Sequence, residues 1–302
     1  VIARGSGGTL PYQFAWNTGQ NTDTAFNIGA GIYTVTITDA NGCKDSANIS
    51  MNQPNNLLAS TIKINDVSCN GLNDGTAMAS ASGGIIPYTY LWSDNQTNDT
   101  ASSLTAGIYS IIITDNNDCI DSASVQINEP VVLSITLDSS KNILCNGNSD
   151  GVINVSTNGG IFPYSYQWSN GNTSDSLSGL AVGRYNVTVT DNNGCTDTLG
   201  TTLNEPDRLQ FNFNPLIHVS CKGQANGQIK TSAQGGTLPY SYQWGNGDTL
   251  DSLESLTPGI YTLSLTDANN CFFIDSTSIV EPDSLLGNIQ NINQVSCKGG
   301  ND

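Results

Sequence analysis

The sequence predicts an all-β chain built as a tandem array of small sandwiches, and three observations lead there. Anchor residues recur every 76 positions: Trp16, Trp92, Trp168 and Trp244; Tyr33, Tyr109, Tyr185 and Tyr261; Pro54, Pro130, Pro206 and Pro282. A period that long is domain-sized, so it marks an array of domains and not a solenoid of short units. The polar positions are filled by Thr, Ser, Asn and Gly, which suit strands and turns and serve helices poorly. Apolar residues fall in short alternating runs separated by turn residues, and no stretch keeps a helical period.

The period divides the 302 residues into a partial repeat over 1–54, full repeats over 55–130, 131–206 and 207–282, and the start of another over 283–302. Val1 aligns with Ala77, inside a repeat, so the segment reads as cut from a longer protein. A domain of this size buries only about 60% of its unfolded surface and is marginal without a staple. Two cysteines per repeat offer one: Cys43, Cys119, Cys195 and Cys271 form one series, and Cys69, Cys145, Cys221 and Cys297 the other. With no CxxC pair and a single histidine, these eight cysteines point to disulfides in an oxidising compartment rather than to zinc.

The elements follow in order within the first full repeat. Leu57 to Val67 is a β-branched run, and the turn residues Cys69-Asn70-Gly71-Leu72-Asn73-Asp74-Gly75 end it. Thr76 to Ser82 predicts a second strand, stopped by Gly83-Gly84. In Pro87 to Trp92 the aromatics alternate, which places Tyr88, Tyr90 and Trp92 on one face, read as core. Thr97 to Leu104 predicts a weaker strand or two short ones. Tyr109 to Thr114 and Ile120 to Ile127 are the last two strands, joined by the turn Asp115-Asn116-Asn117-Asp118, and Glu129-Pro130 closes the unit. Leu104, Gly107 and Tyr109 repeat at Leu180, Gly183, Tyr185 and at Leu256, Gly259, Tyr261, with Ile28, Gly31 and Tyr33 as the first copy. That spacing is similar to the tyrosine corner of immunoglobulin-like sandwiches, and seven short strands with a Trp on the third complete the expectation of Ig-like domains.

Topology bears on the cysteines. Pairing within a repeat (Cys69 with Cys119, Cys145 with Cys195, Cys221 with Cys271) would close a loop of about 50 residues and add roughly 4 kcal/mol on the entropy model. In an Ig-like sandwich, with strands lettered A to G, the first cysteine lies in the A–B turn and the second in the F–G turn, at opposite ends. An eight-residue strand separates those ends by about 26 Å, against the 4.4–6.8 Å a disulfide spans. Pairing between repeats, Cys69 with Cys195 and Cys145 with Cys271, is therefore placed ahead. Within-repeat pairing and free thiols stay open.

Charge narrows the partners. The net charge of −17 arises from 9 Lys and Arg against 26 Asp and Glu, which disfavours nucleic acid and anionic lipid. No run of 18 apolar residues predicts a membrane span. Acidic turns such as Asp115 to Asp118 would admit calcium, but the structural-turn reading stands ahead and no cofactor is expected. An aromatic sugar platform from Trp92, Tyr88 and Tyr90 is set behind their role as core. A lone histidine, with no GxSxG or HExxH motif, leaves no catalytic constellation, and no enzyme is expected. His218 takes the slot of Asp66, Asn142 and Gln294, a position whose changing chemistry predicts no shared role.

Three segments together carry a resemblance: Cys145-Asn146-Gly147-Asn148-Ser149-Asp150-Gly151, then Gly159-Gly160-Ile161-Phe162-Pro163-Tyr164-Ser165-Tyr166-Gln167-Trp168, then Gly183-Arg184-Tyr185-Asn186-Val187-Thr188-Val189-Thr190-Asp191-Asn192-Asn193-Gly194-Cys195. They resemble the SprB repeat of very large cell-surface adhesins in gliding bacteria that export proteins by the type IX route, and in part the PKD domain, another Ig-like family. The resemblance implies a secreted, surface-anchored filament whose partners are neighbouring repeats, an external surface or polysaccharide, and the cell-surface motility machinery. It also implies O-glycosylation, because Asp-Ser/Thr-small tripeptides similar to acceptors of that bacterial phylum recur, with Thr24, Ser46, Thr100, Ser122, Ser176, Thr198, Ser252 and Ser276 as the hydroxyls. The rival expectations are a spacer or carbohydrate-binding PKD-like module of a large secreted enzyme, and self-association into sheets or a surface layer.

Overall fold

A computed structural model describes residues 1–289 of the chain; Gln294 and Cys297 lie outside the described residues. All regular elements are strands. The first repeat contributes β1 (Gln13–Trp16), β2 (Gly31–Thr38) and β3 (Lys44–Met51). The second holds β4 (Leu58–Asn65), β5 (Gly75–Ser82), β6 (Thr89–Trp92), β7 (Thr100–Leu104), β8 (Gly107–Thr114) and β9 (Ile120–Ile127). The third repeats this as β10 (Ser134–Lys141), β11 (Gly151–Asn158), β12 (Ser165–Trp168), β13 (Ser176–Leu180), β14 (Gly183–Thr190) and β15 (Thr196–Leu203). The fourth runs β16 (Gln210–Ile217), β17 (Gly227–Gln234), β18 (Ser241–Trp244), β19 (Ser252–Leu256), β20 (Gly259–Thr266) and β21 (Phe272–Ile279). The chain separates into two compact units, 1–131 and 132–302, each holding two hydrophobic clusters.

Each full repeat is a pair of antiparallel three-stranded sheets, ordered β4-β5-β7 and β6-β8-β9 in the second copy, with the same order in the third and fourth. In Ig lettering these are A-B-E and C-F-G. Six strands form where seven are expected, because the stretch after the Trp strand wraps the indole instead of adding a strand. Trp92 Nε1 donates to Asn98 O at 2.9 Å, and the Gln96 side chain bonds both the N–H and the C=O of Ser102. The same indole bond recurs from Trp16 to Thr22, Trp168 to Ser174 and Trp244 to Leu250.

The core lies between the two sheets. Trp168, Ile153, Val187, Val189 and Leu203 are buried in the third copy, and Trp244, Ile229, Leu263, Leu265 and Ile279 in the fourth. Period-two alternation produces this, since β14 sets Val187 and Val189 inward while Arg184 and Asn186 face solvent. The four tryptophans are 5% exposed or less, so none of their faces is open to a sugar ring. Tyr88 and Tyr90 are only half-buried, and the Tyr88 hydroxyl donates to Gly83 O.

The tyrosine corner closes in every copy. Tyr33, Tyr109, Tyr185 and Tyr261 each donate their hydroxyl to the carbonyl four residues upstream, at 2.8, 3.3, 3.0 and 2.9 Å. Tyr185→Phe keeps the ring and removes one hydrogen bond. It should lower the stability of the third sandwich by about 1 kcal/mol, as read from its urea midpoint.

Candidate functional site

Four aspartates, Asp39, Asp115, Asp191 and Asp267, hold the F–G turns. Asp191 Oδ1 accepts the N–H groups of Asn193 and Cys195 at 2.9 Å each, while Oδ2 accepts that of Ile161 at 2.8 Å. Asp267 does the same with Asn269, Cys271 and Thr237. One carboxylate thus fixes a turn and ties it to the loop after the Gly-Gly pair. Gly160 must be glycine here: its φ is +59°, and a Cβ would lie 2.7 Å from Asp191 Oδ2. In Asp115 both carboxylate oxygens likewise accept backbone N–H groups, Oδ1 from Asn117 and Cys119 and Oδ2 from Ile85.

Burial pushes the Asp191 carboxyl up, but the N–H bonds from Ile161, Cys195, Asn193 and Gly194 outweigh it and leave the group below its ordinary value. Asp115 is lowered in the same way, with burial opposed by Ile85, Cys119 and Asn117. A carboxyl lowered on folding stabilises the fold above its unfolded value and loses that contribution as pH falls through the folded value. Stability should therefore decline below about pH 4, and Asp191→Asn should flatten the decline of the third sandwich, as checked by urea midpoints between pH 2 and 7.

A second anchor holds the A–B turn. Glu205 Oε2 accepts Gly147 N–H at 2.7 Å, and Asn146 Nδ2 donates to Pro206 O at 3.1 Å. Glu129 and Glu281 hold Gly71 and Gly223 alike. The slot of changing chemistry has a shared role after all: Asp66 Oδ1, Asn142 Oδ1 and His218 Nδ1 each accept a backbone N–H at the end of the last strand, from Asn128, Asn204 and Val280. Acceptor capacity is what the three residues have in common.

These anchors place the cysteines. Within the second unit Cys145 and Cys271 form a disulfide, their Cα atoms 5.5 Å apart and 126 residues apart in sequence. It joins the A–B turn of the third sandwich to the F–G turn of the fourth. Asn269 Nδ2 donates across the same junction to Leu144 O at 3.2 Å and within its own sandwich to Thr237 Oγ1 at 3.1 Å. Neither Cys69 nor Cys195 is a free thiol; each is held in a disulfide. Cys43, Cys119 and Cys221 are free and exposed, and the Asp115 charge pushes the Cys119 thiol up, which keeps it protonated.

The within-repeat alternative is not formed. Cys145 is bonded to Cys271 and not to Cys195, and the thiols of Cys119 and Cys221 leave no bond to Cys69 or to Cys271. The reason is length: Cys119 immediately precedes β9, whereas the turn holding Cys69 is tied to Glu129 beyond its far end. Eight strand residues, about 26 Å, lie between them.

Of the candidate acceptor hydroxyls, Ser46, Ser122, Ser176, Thr198 and Ser276 are exposed, while Thr24, Thr100 and Ser252 are half-buried and bonded to the preceding aspartate. The aspartates of two such tripeptides also act as a seam. Asp121 Oδ2 accepts Ala59 N–H at 2.7 Å and Asp197 Oδ2 accepts Ile135 N–H at 2.9 Å, bonding the first strand to the last. In the fourth sandwich Phe273 takes that position and meets Phe211 edge-on, ring centroids 5.3 Å apart.

The fold and the junction define a tandem of Ig-like β-sandwiches. The family described as SprB repeat matches residues 61–97, 137–173 and 218–249, in three successive copies. Sidekick-1 immunoglobulin domains 1-5 are similar at 12% identity, over 90% of this chain and 74% of that one, with a TM-score of 0.30. The protocadherin GammaB4 extracellular domain is similar at 13% identity, over 89% and 60%, with a TM-score of 0.31, and Drosophila OTK extracellular domains 3-5 at 11%, over 76% and 99%, with 0.25. The Ig-like assignment stands on the strand order and the tyrosine corner. No curated protein matches the chain. Among the described residues no helix is long and apolar enough to cross a membrane.

Proposed function

We propose that the chain is a non-enzymatic repeat segment of a secreted bacterial cell-surface adhesin filament, exported by the type IX route and used in gliding and surface attachment. The observation that carries this reading is the SprB match on three successive copies. The disulfides suit an oxidising, extracellular setting. In this reading the sandwiches are laid end to end as a rod, and each adds the length of its strands and turns, about 30–40 Å. The filament then displays a binding region, or sums many weak contacts with an external surface or polysaccharide by avidity. The motility machinery of the cell surface moves it.

Deletion of the gene should remove filaments labelled by antibodies to this chain and abolish attachment and gliding on glass. Unchanged attachment would sink the reading. The exposed hydroxyls Ser46, Ser122, Ser176, Thr198 and Ser276 are the better-placed glycan acceptors. Protein isolated from the native cells should exceed its polypeptide mass, and a bare mass would remove this modification.

A further inference from the structure

Tension on the second unit enters the third sandwich through β10 and leaves the fourth through β21. Cys145 lies just past β10 (Ser134–Lys141), and Cys271 immediately precedes β21 (Phe272–Ile279). The bridge between them therefore links the far end of the entering strand to the near end of the leaving strand. Strands β11 to β20, with Trp168 and Trp244, lie on a side branch of the covalent path.

We infer that the Cys145–Cys271 bridge is an extension stop, which carries tension past both hydrophobic cores of the unit. The path runs along β10, across the two sulfur atoms and along β21. Both strands already rise about 3.3 Å per residue, close to the limit of 3.3–3.6 Å for a stretched chain, so little slack remains to be drawn out. Without the bridge, the same tension must cross the residues between the cysteines, which, apart from Cys195 in its own disulfide, are held by non-covalent packing.

Each end of the bridge is fixed to its own sandwich. Cys271 N–H is held by Asp267 Oδ1 at 2.9 Å, and Leu144 N–H, beside Cys145, by Asp150 Oδ1 at 3.1 Å. Asn269 spans the junction from Thr237 Oγ1 to Leu144 O and keeps the two turns in register. The inference concerns any pull on the chain ends and does not depend on the adhesin reading.

The test is single-molecule stretching of the full 302-residue chain by its ends, with free thiols alkylated, in the Cys69→Ser/Cys195→Ser variant, so that only this bridge is in question. A dithiol reductant, itself oxidised to a cyclic disulfide, returns both sulfurs to thiols. Reduction should lengthen the total contour released by roughly 420–450 Å, the span of the 126 residues that separate the cysteines. Equal contours before and after reduction overturn the inference. Should that variant fail to fold, the unsubstituted chain must gain at least the same length on reduction, and a smaller gain overturns it equally. Cells that attach normally without the gene would leave this result standing, and equal contours would leave the attachment reading standing.

Discussion

Trp168→Ala should destabilise the third sandwich by about 3–5 kcal/mol, the range for removing a buried Trp side chain. The indole is 2% exposed, packs among Ile153, Val187 and Leu203, and satisfies its N–H on Ser174 O at 2.8 Å. Alanine leaves a cavity between two sheets of only three strands each, which have few ways to close over it. A domain of this size is stable by about 4–11 kcal/mol, so the loss removes between about a quarter and all of what it has. Amide hydrogen exchange should show protection lost over residues 151–203 and retained over 227–279. Ser176→Ala, at an exposed position, should stay within about 0.5 kcal/mol. Uniform loss of protection in both sandwiches, or none, would contradict the placement of separate cores.

Much of this was legible in the residues, because tandem repetition turns one sequence into several readings of the same fold. Trp, Tyr, Gly and Pro at constant spacing marked the core strand, the corner and the turns, and alternation chose the buried face. The strand count was not legible, since Thr97 to Leu104 has strand-like composition, and only the indole bond to Asn98 explains why half of it is loop. The acceptor role of Asp66, Asn142 and His218 was hidden for a different reason. Residue type varied while hydrogen-bonding capacity did not, and the partner N–H is 62 residues away. Glu129, Glu205 and Glu281 carried a signal in their spacing that went unused. An acid beside a proline at the end of a unit, opposite an Asn-Gly turn in two copies and Lys222-Gly223 in the fourth, suits capture of the glycine N–H. Cysteine connectivity lay open on sequence alone because the 76-residue period of both cysteine series is compatible with every pairing rule; only the end of the sandwich on which each turn sits separates them.

Removing the Cys145–Cys271 bridge, as Cys145→Ser/Cys271→Ser, should lower the stability of the second unit by about 5 kcal/mol in total. The chain-entropy account gives that value for a closed loop of this length, since cross-linking residues 126 apart denies the unfolded chain most of its separations. The loop covers most of both sandwiches, so the effect is divided between two unfolding events. When one sandwich opens first, its residues stay closed in a loop of about 60 between the bridge and the folded neighbour, and on the same account that loop already accounts for roughly 4 kcal/mol. The larger share therefore falls on whichever sandwich opens first, and the second opening adds only the small increment for enlarging the loop. For a sandwich of about 76 residues, roughly 4 kcal/mol corresponds to about 15–30 °C in Tm. Calorimetry of the variant and its parent, both with free thiols alkylated, should show the lower-temperature transition moving more than the higher one. An equal shift of both transitions would mean that the bridge acts by local contact at the junction, through Asn269 and Leu144, and not by restricting the unfolded chain.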